Sequence, residues 1–101
     1  MTTLVIDHDV CAVDIKFSEE AMHVSLDDGR AISIPLAWYP RLFHGTPAER
    51  VRFELIGDGE GIHWPELDED ISVAGLIAGK RSAESASSLA RWLDKHKGST
   101  E

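Results

Sequence analysis

The densest set of groups that could do chemistry lies in residues 58–70, which read Asp-Gly-Glu-Gly-Ile-His-Trp-Pro-Glu-Leu-Asp-Glu-Asp. His63 stands within a few positions of Glu66, Asp68 and Asp70, the residue types that hold a hard cation or move a proton. The spacing favours neither task. The carboxylates lack the glycine and the closing glutamate of a calcium loop, so a solvated acidic loop is the expectation. His8, His23, His44 and His96 show no paired zinc spacing, and the single Cys11 has no cysteine partner. No serine or cysteine sits in a nucleophile motif. Gly59 and Gly61 are expected to supply unusual backbone angles rather than a phosphate cradle, because no Lys-Ser/Thr pair follows and the carboxylates nearby oppose an anion. These residues predict no enzyme, no metal and no cofactor.

The elements that must position these groups alternate in period. Val13, Ile15 and Phe17 lie two apart, as do Met22, Val24 and Leu26, then Ile32 and Ile34. Each set predicts a strand with one apolar face, near 11–17, 21–26 and 31–35. Ser18-Glu19-Glu20 and the Asp-Gly pair of Asp27-Asp28-Gly29-Arg30 predict tight connections, hence an antiparallel meander. Pro35 ends the third strand, and Trp38-Tyr39-Pro40 opens a helical turn through about His44. Thr46-Pro47-Ala48-Glu49 is a capping box with proline at the first helical position. Alternation of Val51, Phe53 and Leu55 predicts a fourth strand over 51–56, and Ile62-His63-Trp64 a fifth, stopped by Pro65. Ile71 and Val73 can extend an edge, and Ser72 can cap a short helix ending by Gly79.

The tail reads as an amphipathic helix capped by Ser82, with Glu84 in the first turn, Ala86, Leu89, Trp92 and Leu93 on one side, and Lys95, His96 and Lys97 at the end. A free helix of this length is marginal in water, and burying Leu89, Trp92 and Leu93 offers about 1.5 to 3 kcal/mol for each side chain. Such a helix must dock, on its own sheet, on a second copy or on another protein, and its own body or a dimer of the same chain is the expectation. Residues 1–79 are expected to form a small α+β domain, and 80–101 a C-terminal amphipathic helix with a disordered end.

At 101 residues, 43% hydrophobic and 28% charged, the chain has the composition of one soluble domain. The single cysteine and the lack of a signal-peptide pattern predict the cytoplasm, and no apolar run approaches a bilayer's thickness. Residues 1–79 carry five basic and fifteen acidic side chains, a net of −10, whereas 80–101 carry five and three, a net of +2. A body this negative repels a phosphate backbone, so direct binding of nucleic acid is not expected.

Leu26-Asp27-Asp28-Gly29-Arg30, Pro35-Leu36-Ala37-Trp38-Tyr39-Pro40-Arg41-Leu42, the run from Ile62 through Trp64-Pro65 to Asp70, and Ile71-Ser72-Val73-Ala74-Gly75-Leu76 together are similar to the bacterial family catalogued as domain of unknown function 2442. The resemblance spans most of residues 10 to 79. It implies a small α+β domain with an antiparallel sheet and no assigned activity. Some relatives carry a fused helix-turn-helix and others are encoded beside small toxin-like proteins, which implies an antitoxin-like or regulatory role. Only a single helix follows residue 80 here. The expectation is therefore a non-enzymatic module that binds another protein, such as a small toxin-like one, with a homodimer through the C-terminal helix as a further possibility. Its expected contact residues are Trp38, Tyr39, Arg41, His63, Trp64, Glu66, Asp68, Leu89, Trp92 and Leu93, although Trp64 fits the core best. The alternatives are an acidic mimic of nucleic acid and a metal-dependent enzyme built on His63 and its neighbouring carboxylates.

Overall fold

The computed structural model describes residues 10–100, with side chains as far as His96. These residues form two three-stranded antiparallel sheets and a set of helices, an α+β fold. The first sheet is the expected meander of β1 (Ala12–Phe17), β2 (Ala21–Leu26) and β3 (Ala31–Pro35). A tight helical turn (Leu36–Trp38), α1 (Pro40–His44) and α2 (Pro47–Arg50) lead to the second sheet, β4 (Glu54–Ile56), β5 (Gly61–Trp64) and β6 (Glu69–Ser72). Then come α3 (Val73–Ile77) and α4 (Ala86–Thr100). Glu101, within the end expected to be disordered, lies outside the described residues.

Alternation works best on β2, the central strand, where Met22, Val24 and Leu26 are all buried. Val24 lies between Ile15 of β1 and Ile32 of β3, so the apolar face continues across the sheet. On β1 the expected face is wrong at one position. Ala12 pairs with Leu26 but Asp14 with Ser25, so Val13 is an extra residue in a bulge; it turns outward, 57% exposed, while Ala12 turns in. The bulge lies where the second sheet meets the first: the Ala12 amide donates to the Gly59 carbonyl at 2.8 Å.

Two further corrections concern the second sheet. The strand expected over 51–56 is confined to β4, because the capping box drives a helix that runs into Val51, its C-cap, where the side chain is exposed. Both halves of that box are formed: the Thr46 hydroxyl accepts from the Glu49 amide and the Glu49 carboxylate from the Thr46 amide. The acidic run expected as a solvated loop is partly a strand. Residues 65–68 make the connection, Asp68 takes φ 53, and Glu69 pairs with Trp64 to begin β6. Val73, expected to extend an edge, instead opens α3 and is fully buried, with the Ser72 hydroxyl accepting from the Gly75 amide as predicted.

Trp64 is completely buried among Leu36, Leu42, Ile62, Leu67 and Val73, and its indole N–H donates to the Arg50 carbonyl at 2.9 Å. The tail helix begins later than expected. Ser85, not Ser82, accepts from the amide three residues on, Ser88, and residues 80–85 run as an irregular strap from α3 to α4. Among the described residues no helix is long and apolar enough to cross a membrane.

Gly59 holds the sheets together by closeness. It has φ 103, and a Cβ there would stand 2.3 Å from the Ala12 carbonyl oxygen, whereas Gly29, at φ 94, has open space around it. Gly29→Ala should cost about 1 to 2 kcal/mol, the strain of a left-handed backbone. Gly59→Ala should cost clearly more in the same denaturant titration; equal losses would mean that the sheets do not meet as closely as described.

Candidate functional site

The site is built around Arg41. Tyr39 and Pro40 start α1 and Leu42 turns into the core, fully buried, which leaves Arg41 beside it at the edge of the domain. Its Nε and Nη2 donate to the two oxygens of Glu84 at 2.8 and 2.6 Å, a bidentate fork, and Nη1 donates to the Asp68 carbonyl at 2.7 Å. The Asp68 carboxylate lies farther off, at 3.4 Å, and its side chain is mostly in water. The guanidinium also lies 5.3 Å from the centre of the Trp92 ring. Arg41 and Glu84 are mostly shielded from solvent, and each favours the charged form of the other: the hydrogen bonds from Arg41 hold the Glu84 carboxyl below its ordinary range.

The neighbours of Arg41 fasten the strap along its length. The Tyr39 hydroxyl donates to the Lys80 carbonyl at 2.5 Å, the Ser82 amide donates to the Trp38 carbonyl at 3.1 Å, and the Arg81 guanidinium lies 4.3 Å over the Trp38 ring. Burial pushes the Tyr39 phenol above its ordinary value, with the nearby Glu69 carboxyl adding to it. Beyond the strap, Trp92 is buried and stacked on His96 with ring centres 4.7 Å apart, and His96 lies 3.0 Å from Glu49. Leu89 and Leu93 pack half-buried against the core. The tail helix therefore docks on its own body through the apolar stripe read from the sequence.

A surface cleft of about 430 Å³ opens here, lined by Arg41, Asp68 and Trp92 with Ser88, Arg91, Asp94 and Lys95 of α4. The Ser88 hydroxyl is turned to Glu84, 2.7 Å away. Arg91 and Lys95 are exposed and, among the described residues, make neither hydrogen bond nor ion pair.

The constellation around His63 is not assembled. His63 Nδ1 meets Asp70 on the outer face of the β5–β6 hairpin, Glu66 is paired with Arg52 at 2.7 Å, and Asp68 turns to Arg41. Each carboxylate has a separate partner. No three His, Cys, Asp or Glu among the described residues stand together as a metal set. Trp64, with no exposed surface, offers nothing to a partner. Trp38, Tyr39, Arg41, Asp68, Leu89, Trp92 and Leu93 lie on or under the Arg41 face, whereas His63 and Glu66 take part in other pairs.

Sequence reading missed Glu69, Glu84, Ser88, Arg91 and Lys95. Glu84 gives no local signal, because its partner lies 43 residues away. Arg91 and Lys95 could have been found, since positions four apart share one side of a helix. Glu69 follows from the parity of β6 once that strand is known.

A family model described as protein of unknown function (DUF2442) matches residues 12–82. Two solved structures share the fold. A crystal structure of a protein of unknown function from Rhodospirillum rubrum is 25% identical, with a TM-score of 0.67 over 76% of this chain and 95% of that one. A solution NMR structure of an uncharacterized protein from Chromobacterium violaceum is 23% identical, with a TM-score of 0.62 over 85% of this chain and 75% of that one. No curated protein matches.

Arg41→Ala should lower stability by about 2 to 4 kcal/mol, since it leaves Glu84 shielded without a cation, and Arg41→Lys should fall between, keeping the charge but losing the fork. The pH dependence has a definite sign. Glu84 titrates below its ordinary 4.5, so the pair's contribution is full above that pH and is lost as pH falls through the lowered value. Acid unfolding should therefore be less steep in Arg41→Ala than in the wild type, as followed by circular dichroism.

Proposed function

We propose that this chain, which belongs to the family described as protein of unknown function (DUF2442), is a non-enzymatic interaction module with an antitoxin-like or regulatory role in the cytoplasm. Its partner is another protein, bound at the Arg41 face. One observation carries the reading: residues 38–41, the Asp68 turn and the tail helix, three segments far apart in the chain, are drawn together by a single guanidinium.

The chemistry of that face supports recognition. Leu89, Trp92 and Leu93 are spent on the protein's own core, so a partner meets the polar side of α4, where Arg91 and Lys95 form no ion pair among the described residues although Asp68 and Asp94 line the same cleft. On a body with a net charge of −10 over residues 1–79, two such cations beside a cleft select for acidic groups on the partner. Exposed positions of this kind contribute little to the fold, which leaves them free to serve contact.

The test is affinity capture with cross-linking in the native cell. Wild-type chain should recover one heterologous protein in constant proportion, and the double variant Arg91→Glu with Lys95→Glu should lose most of it while keeping the wild-type melting curve. Equal recovery by both, or recovery of this chain alone, would reject the reading.

A further inference from the structure

The strap covers more than α1. Strand parity places Glu69 on the same side of β6 as the buried Ile71, and a cleft of about 220 Å³ there is lined by Tyr39, Glu69, Ile71 and residues 80–83 of the strap. Glu69 is half-buried, and its carboxylate accepts no hydrogen bond among the described residues.

Its charged surroundings come from each element packed against it. Arg41 faces it from α1, Glu84 from the strap, Asp68 and Asp70 from its own hairpin, and the Tyr39 hydroxyl from the start of α1. Lys80 and Arg81 line the same cleft, but neither is among the charges that act on Glu69, and the Arg81 guanidinium lies over Trp38. α3 contributes only Gly75. Arg41 is the cation that acts on Glu69, and its fork is already filled by Glu84. An ionised Glu69 would thus meet three carboxylates and one shared guanidinium in a space from which water is partly excluded.

We infer that the strap and tail helix form a pH-sensitive latch, closed over Glu69 while its carboxyl carries a proton and released as that proton leaves. Burial first, then the neighbouring carboxylates acting against Arg41, push the Glu69 carboxyl up to about 7. Opening the strap returns water to the group and lets it titrate nearer its ordinary 4.5. The closed state therefore binds the proton more tightly. Its advantage is full below the ordinary value and is lost as pH rises through about 7. Each unit by which opening lowers that value changes the closed-to-open ratio by up to about tenfold. Release would dismantle the cleft at Arg41, so it would also free a partner held there; the latch itself does not depend on that partner.

Hydrogen exchange of the full chain, read by mass spectrometry and corrected for intrinsic rates, tests it at about pH 5.5 and about pH 8. Amides of residues 80–96 should open about tenfold more often at the higher pH in wild type, while β2 is unchanged; Glu69→Gln should remove the difference. Because the His96–Glu49 ion pair also needs a protonated imidazole, His96→Gln is run beside it and should keep the difference. Wild-type tail amides that open equally at both pH values overturn the latch, and so does a rise in β2 as large as in the tail. A Glu69→Gln chain that still shows the full difference, or a His96→Gln chain that loses it, assigns the effect elsewhere and rejects the proposal.

Discussion

Arg41 can join four pieces of chain because a guanidinium carries five donors in a rigid plane. Two of them take the Glu84 carboxylate, a third takes the Asp68 carbonyl, and the flat ion approaches the Trp92 ring. A lysine has one ammonium point and could not meet these directions together. The link closes a 43-residue loop, and loop closure of that length is entropically costly. It holds because it does not act alone: Tyr39 and Trp38 fasten the strap before Glu84, and Trp92 and His96 fasten the helix after it. The isolated helix would be marginal in water, so its order derives from these contacts.

Charge is exchanged across the same boundary. The acidic body gives Arg41, one of its few cations, to the tail's Glu84, and gives Glu49 to His96 of the tail. Both pairs are turned inward and shielded, where pairing is required to offset lost hydration. What remains outward on α4 is the set of charges the fold does not need. With Arg41 and Glu49 of the body and Glu84 of the tail withdrawn into these pairs, the remaining charges of the body still sum to −10 while those of the tail rise from +2 to +3.

Elements governed by neighbours in sequence were legible. Met22, Val24 and Leu26 declare β2 by parity, Thr46 and Glu49 declare a helix start by reciprocal capping, and Ser72 declares α3. Features that depend on distant chain were not. The bulge at Val13 answers to Gly59 of the other sheet, and alternation has no means of registering it. Ser82 and Ser85 are both competent caps; the strap's fastening to Trp38 and Arg41 decides between them. The family-like segment around residues 38–41 marked half of the site, while Glu84 was invisible because its partner is remote.

The acidic run shows how one residue of register separates competing roles. Trp64 is followed by a four-residue connection, so Glu69 is its cross-strand partner and Asp70 is His63's. Had the connection been one residue longer or shorter, the inward and outward carboxylates would exchange faces. As built, the outer face pairs His63 with Asp70, Asp68 swings away in a left-handed turn that offers its carbonyl to Arg41, and only Glu69 is left facing inward. A stretch that reads as a cation loop is thereby divided into an outer pair, a turn and one half-buried acid. The acid sits where the tail must close, and the energetic conflict there is local to the strap rather than to the core beneath it.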